Sequence, residues 1–532
     1  MIQRLIFLIL CSACLPMQAQ TYRYLLLFKD KNSNSYSLNN PGTFLSSKSL
    51  ERRRKNRVAV SSQDLPVNTA YLDQVKTTGA RILFPLKWIN GALITQKPSD
   101  LKKTLALSCV KGLYWNFPAD SSAAFQIQSG TQSTAISPDY GNSITQITQL
   151  GIDQMHAKNI RGDGVLITLL DDGFKNANSV PYLQNTFSEK RITATLTTDP
   201  SVSSIYVTGG HGTNVLSTIA GYEPGKLIGT VYKASFALAQ TEESGHELIV
   251  EEANWLRGAE WADSLGTDII SSSLGYSTFD NTLHNHSYSE MNGKSTLVSK
   301  AAAWAASKGI LCTISAGNEG ANAWKYITAP ADADSILTVG AVNALGGLSL
   351  FSSIGPSFDG RIKPDVVAMG SNTVVGFTDG TIGISSGTSF SAPSVAGLAA
   401  GLIQSFPTHT SQQIRSALLQ SGSQFTRTDM LLGFGIPTFD KASAAMELIL
   451  GNSEEPPLHI YPNPVNPGDA LHISIPFPSA ALEIMNSSGI VIHTFYLAQS
   501  ESTIYLGPFV SGKYYFRFTA ESTSIIKTVL LL

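Results

Sequence analysis

Between about residues 146 and 450 the sequence alternates short apolar runs with segments of helical length, and nothing else in the chain restricts the fold so strongly. Residues 165–170, 269–270, 310–314 and 336–342 are the apolar runs. Residues 247–265 and 297–307 lie among them. In the first of these, Leu248, Trp255, Leu256, Ala259, Ala262 and Leu265 largely follow an i, i+3/i+4 pattern. Strands buried on both faces and joined by crossover helices belong to a parallel sheet with helices on both sides, so the expected class is α/β. Ligands of such sheets sit at the carboxyl ends of the strands, which is where reactive residues should be sought.

The flanking regions differ in pattern. Residues 21–120 read as a small α+β unit, with strands at 24–28, 82–84 and 92–94, a helix at 70–78 stopped by Gly79, and a turn at Asn90-Gly91. The run Arg52-Arg53-Arg54-Lys55 reads as the solvated face of a helix. Residues 121–145, rich in Ser, Gln and Thr, and residues 451–457 (GNSEEPP) read as linkers. Residues 458–532 read as a small all-β sandwich with strands at 471–475, 481–485, 514–518 and 524–532 and a turn at Ser488-Gly489.

The chain has 532 residues, 43% hydrophobic and 14% charged, which suffices for a large core. A formal net charge of −2 gives no electrostatic reason to expect nucleic acid or an anionic membrane as partner. Residues 1–20 have the form of an export signal. Arg4 precedes an apolar run at 5–10 that is too short to span a bilayer, and Ala19 or Gln20 offers a cleavage point. Export implies a secreted or surface protein. Of four cysteines, Cys11 and Cys14 lie in the signal, while Cys109 and Cys312 lie in different domains, so no disulfide framework is expected. No later segment has the 18 uncharged apolar residues of a membrane span.

Four residues stand where chemistry is expected. Asp171 closes the run 165–170, where a carboxylate can hold a histidine tautomer or simply cap a loop. His211 stands in Gly209-Gly210-His211-Gly212-Thr213 at the start of a helical segment, 213–220. Ser389 lies in Gly387-Thr388-Ser389-Phe390-Ser391-Ala392-Pro393, with Pro393 placed in the first turn of the helix that follows. A serine there is either an ordinary cap or a nucleophile in the positive field of a helix N-terminus. Asn318, in Ser315-Ala316-Gly317-Asn318, either forms a turn or donates its amide to an oxyanion.

Together, in the order Asp, His, Ser, these motifs resemble the subtilisin-like serine peptidases over roughly residues 140–450. The resemblance implies a secreted endopeptidase with a doubly covered parallel sheet. Ser389 would be the nucleophile, His211 the base, Asp171 its orienting acid and Asn318 the oxyanion donor. It also implies that Ser273-Leu274-Gly275 and Ser315-Ala316-Gly317 wall the primary specificity pocket. The chain departs from common family usage at Asp172, Asn214, Phe390 and Ser391, none of which is a reacting group. No cofactor is required for the chemistry. Structural calcium is open, with Asp332 and Asp334 as possible ligands. An inserted segment, 281–294, offers His284, His286 and Glu290 to a metal or to solvent.

Residues 21–120 are similar to the family's inhibitory propeptides, which implies an intramolecular inhibitor and cleavage within the 121–145 linker. Residues 458–532 resemble type IX secretion sorting domains, through Ile460-Tyr461-Pro462-Asn463-Pro464, Ser511-Gly512-Lys513-Tyr514-Tyr515 and Lys527. The expected partners are therefore peptide or protein substrates, the chain's own propeptide and a secretion machinery. The expected state is a monomer. The rival readings are a catalytically silent surface binder and an ester hydrolase with the same triad.

Overall fold

The computed structural model describes residues 21–119, 140–451 and 458–532, apart from 476, 478, 487–489, 508 and 521–522. The expected export signal, the maturation segment within the first linker, most of the second linker and the Ser488-Gly489 turn lie outside the described residues. The chain divides into two compact units, one running to Ser443 and the other spanning Ala444–Leu532.

The first unit contains an N-terminal lobe and a central domain. In the lobe, β1 (Tyr22–Phe28), β2 (Arg81–Leu86), β3 (Gly91–Gln96) and β4 (Val110–Leu113) form an antiparallel sheet in the order β2-β3-β1-β4. Helices α1 (Ser47–Lys55) and α2 (Thr69–Thr77) lie in the β1-to-β2 crossover, and α3 (Pro98–Leu105) joins β3 to β4. The turn expected at Asn90-Gly91 is present: Asn90 has φ 50° and bonds its amide to the Asp30 carbonyl at 2.8 Å. Without α1, this is a split βαβ arrangement. Helix α1 overturns one expectation. Arg52 and Arg53 are 3% and 1% exposed, because they face charged partners on the central domain instead of water.

The central domain is built on seven parallel strands: β5 (Leu166–Asp171), β6 (Ile192–Thr197), β7 (Ser235–Gln240), β8 (Ile269–Ser272), β9 (Leu311–Ser315), β10 (Leu337–Val342) and β11 (Val366–Met369). Their order is β11-β10-β9-β8-β5-β7-β6. Every residue of β5 and β10 is buried, as a two-sided parallel strand requires. The chain runs from β5 out to β6 and back to β7 on one side, then outward from β8 to β11 on the other. The reversal falls at β5, so the crevice of a doubly wound sheet opens at its carboxyl end.

The helices that matter to the site are α4 (His211–Ala220), α5 (Val250–Leu265), α6 (Leu297–Ser307), α7 (Thr388–Ser405) and α8 (Ser411–Gln420). Helix α5 begins three residues later than its apolar spacing suggests. The Glu251 carboxylate accepts from the backbone N–H groups of Glu243 and Leu248 and so pins the lead-in outside the helix. Cys109 and Cys312 are both buried as free thiols in different hydrophobic clusters. Among the described residues, no helix is long and apolar enough to cross a membrane.

Past the end of a helix that spans Phe439–Gly451, the second unit is all-β. One sheet joins β12 (His459–Tyr461), β13 (Ala470–Ser474) and β16 (Glu501–Tyr505). The other joins β14 (Ala480–Met485), β15 (Val491–Leu497), β17 (Gly512–Ala520) and β18 (Thr523–Leu531). Leu471, Ile473, Leu482, Ile484, Phe516, Phe518 and Val529 share one core, the inward positions of alternating strands.

Candidate active site

Strand β5 ends on Asp171, 1% exposed, and α4 begins on His211. Gly212 allows the two to meet. A Cβ on it would stand 2.4 Å from the Gly173 carbonyl and 3.0 Å from Asp171 Cβ, so a side chain there would push the helix off the strand end. In the resulting contact His211 Nδ1 lies 2.7 Å from Asp171 Oδ1, which also accepts the Asp172 N–H at 2.9 Å. Asp171 Oδ2 has no hydrogen-bond partner. With Nδ1 donating to the carboxylate, Nε2 is the nitrogen free to exchange a proton.

The electrostatics favour a charged imidazole. Burial opposes the imidazolium, but Asp171, aided by Asp172 and Glu242, outweighs it and holds the His211 pKa up at about 9. Burial and the neighbouring Asp171 push Asp172 up to about 6. Asp172 Oδ1 accepts the Gly212 N–H at 3.2 Å, in the first turn of α4, so this residue also steadies the histidine's helix. One ligand-capable atom from each of Asp171, Asp172 and His211 lies within 4.8 Å of the others.

Ser389 is the second residue of α7, 7% exposed, and the ring of the next residue, Phe390, lies 6.2 Å from the His211 imidazole. The sequence pattern put Pro393 in the first turn. In the structure the helix starts at Thr388 and Pro393 lies inside it. A proline has no N–H to give to the carbonyl four residues back, which is that of Ser389. Ser273 Oγ donates to that carbonyl instead, at 2.9 Å. A hydroxyl at the end of β8 thus fixes the backbone of the serine.

Asn318 follows β9. Its Oδ1 accepts the Thr388 N–H at 2.9 Å and the Thr388 hydroxyl at 3.0 Å, which turns its NH₂ group toward the serine. The point where a Cβ on Gly387 would stand is 3.7 Å from both the backbone N and the Oγ of Ser389, and 3.8 Å from Asn318 Nδ2. Two donors and a hydroxyl therefore converge on one small volume, the arrangement that stabilises a tetrahedral oxyanion.

The segments Ser273-Leu274-Gly275 and Ser315-Ala316-Gly317 leave adjacent strands, and Ser315 Oγ lies 3.5 Å from the Leu274 carbonyl. Between them lies Thr328, which the sequence reading missed. A Cβ on Gly275 would stand 2.2 Å from Thr328 Oγ1, and one on Gly317 2.9 Å from it. That hydroxyl is buried and unpartnered. The roles of Thr388 and Ser273 also escaped the sequence, since a hydroxyl that orients another residue has no pattern of its own.

Of the other suggested ligands, His286 and Glu290 meet, with Nδ1 3.5 Å from Oε1, and the rest lie in separate contacts. His286 bonds Glu252 at 2.5 Å, and His284 stacks on Phe117 of the lobe, with ring centroids 4.3 Å apart. Asp332 is enclosed, accepting from Ser299 Oγ at 2.5 Å and the Gly293 N–H at 2.6 Å, while Asp334 accepts the Ser335 N–H next to it.

Comparison with known proteins finds matches to three parts of the chain. Residues 162–435 match the subtilase family, residues 23–133 the peptidase S8 propeptide domain of Bacteroidota, and residues 459–531 a secretion system C-terminal sorting domain. Subtilisin NAT of Bacillus subtilis subsp. natto is 26% identical over 370 residues, covering 68% of this chain and 83% of that protein. A subtilisin of Bacillus pumilus is 29% identical over 295 residues, covering 54% and 94%. A thermostable alkaline protease of Halalkalibacterium halodurans is 29% identical over 292 residues, covering 54% and 70%.

Proposed function

The chain belongs to the subtilase family of serine peptidases, and on that premise we propose that Asp171, His211 and Ser389 are its triad, acting through an acyl-enzyme. Ser389 Oγ attacks the scissile carbonyl while His211 Nε2 takes its proton, and His211 returns that proton to the leaving amine. Asp171 holds the tautomer and stabilises the imidazolium. The Ser389 N–H and Asn318 Nδ2 receive the oxyanion. Water then attacks the acyl ester by the same route. The segments 273–275 and 315–317 line the pocket for the residue before the scissile bond, with Thr328 between them. No cofactor enters these steps.

The convergence of Ser389 N, Ser389 Oγ and Asn318 Nδ2, next to a histidine already paired with Asp171, carries this reading. A silent surface binder would have no need of that arrangement. The propeptide match supports the N-terminal lobe as intramolecular inhibitor, with maturation by cleavage in the linker before Tyr140. The sorting-domain match supports export through type IX secretion, led by the signal at residues 1–20.

The test compares the matured chain with Ser389→Ala on denatured casein and with a fluorophosphonate label. Cleavage and labelling should both be present in the parent, and turnover should fall about a millionfold in the variant, as in subtilisin stripped of its nucleophile. A folded, lobe-free parent that neither cleaves nor labels would refute the assignment. Turnover of small esters without any peptide cleavage would favour the ester-hydrolase reading.

A further inference from the structure

Where helix α1 of the lobe meets the central domain, the contact is built from buried charge. Helix α1 docks where α5 and α6 end and α8 begins. Asp268, just ahead of β8, accepts the Leu166 N–H at 2.9 Å, so this corner belongs to the amino ends of the strands, opposite Asp171. Two glycines open it. Gly266 and Gly309, at φ 89° and 82°, end the turns after α5 and α6. A Cβ on Gly266 would meet Lys48 and Ser49 of α1 at 2.6 Å, and one on Gly309 would meet Asn56 at 2.7 Å.

Into this corner α1 places two adjacent arginines. Arg52 bonds Asp263 at 2.5 Å and gives Nη1 to the Thr267 carbonyl at 2.8 Å. Arg53 bonds both Asp263 oxygens, at 2.9 and 2.8 Å, and Asp64 of the lobe at 3.0 Å. Lys87 of the lobe reaches Asp263 at 3.3 Å. In return, Lys308 of the central domain reaches Asp64 at 3.4 Å. Asn56, at the tip of α1, accepts the first N–H of α8 at 2.7 Å. Asp263 and Asp64 are fully buried.

The decisive point is who supplies the counter-charges. All three cations on Asp263 come from the lobe, and the carboxylate on Lys308 does too. Within the lobe Arg53 also pairs with Asp64, but Asp263 of the central domain draws its three ion-pair partners from across the boundary. A buried charge without its partner is costly, so the corner discriminates sharply between its own occupant and anything else. The carbonyl ends of α5 and α6 add partial negative charge under the guanidinium groups.

We propose that α1 is a charge-specific anchor: the Asp263 corner recognises the Arg52–Arg53 pair and holds the cut propeptide on the enzyme. This rests on reading the chain as a zymogen.

A binding readout separates this from the peptidase assignment. The full chain carries Ser389→Ala and a recognition site for an unrelated protease within residues 121–139, so no activity of its own is needed. After the cut, the lobe should remain bound through size-exclusion chromatography at micromolar concentration. Arg53→Ala and Asp263→Asn should each weaken binding at least about 30-fold, with the double variant little worse than either alone. Arg53→Lys, which keeps the charge and loses the fork, should fall between and serves if the alanine variant does not fold. Dissociation constants within about threefold of the parent in folded variants would overturn the anchor. Hydrogen exchange on the uncut parent needs no variant: α1 amides as protected as those of β3 support the proposal, and α1 exchanging within seconds while β3 stays protected refutes it.

Discussion

The two ends of the central sheet treat polar groups in opposite ways. At the amino end Asp263, Asp64, Arg52, Arg53, Lys87 and Lys308 are buried and bonded to one another, with Arg53 Nε the one side-chain nitrogen or oxygen of the six that is buried without a partner. At the carboxyl end Asp171 Oδ2 and Thr328 Oγ1 are buried with no partner, and Ser389 Oγ and Asn318 Nδ2 face the same small volume. A saturated group has nothing left to offer a substrate, whereas an unsaturated one is unfavourable in the resting protein and available to a transition state. On the proposed readings, one end of the sheet is built to hold and the other to react.

Substitutions at the two ends should therefore fail in different observables. Asp171→Asn should leave unfolding by urea nearly unchanged and lower kcat by about 10⁴-fold, because the amide favours the wrong histidine tautomer. Asp263→Ala in the uncut chain should do the reverse. It strands buried cations and should cost about 3–5 kcal/mol in urea titrations. The same end should resist acid. Burial alone would raise the Asp263 pKa, but Lys87, Arg52 and Arg53 hold it below the usual carboxylate range. Its stabilisation is thus complete above the ordinary aspartate pKa and lost only as pH falls through the depressed value, which acid unfolding of parent and Asp263→Asn will reveal.

Smaller effects sharpen the contrast. Asn318→Ala should lower kcat about 10²- to 10³-fold with little change in KM, since its donor acts on the oxyanion and not on the ground-state carbonyl. Asp172→Asn should change stability little and move the acid limb of kcat/KM downward by roughly half a unit to one unit. Removing a carboxylate near His211 lowers the pH at which the base becomes neutral. An unmoved limb would mean that Asp172 does not sense the histidine's charge.

Much of the carboxyl end was legible in the sequence, because the residues proposed to react sit beside glycines and at abrupt changes from apolar runs to polar turns. Asp171, His211, Ser389 and Asn318 fall where their motifs put them. The amino end was not legible. Arg52 and Arg53 read as solvated because hydropathy weighs a charge against water, and their partner Asp263 lies about two hundred residues away with no local mark. In the all-β unit β15 went unread since most of its side chains are exposed on both faces, which removes the alternation that betrays a strand. Strand β12 has only three residues. Pro393 misled for a physical reason: helices tolerate an interior proline when another donor satisfies the carbonyl it abandons, and Ser273 stands in a different part of the sequence.

Cys109 and Cys312 sit in separate cores, and burial raises the pKa of both thiols, that of Cys312 to about 12. Neither ionises readily, so neither is poised for exchange with oxidants or with other thiols. Among the described residues, the fold of this first unit thus depends on no disulfide. The described residues of this unit can therefore assume the same structure in a reducing compartment as in an oxidising one, with no oxidative step to wait for.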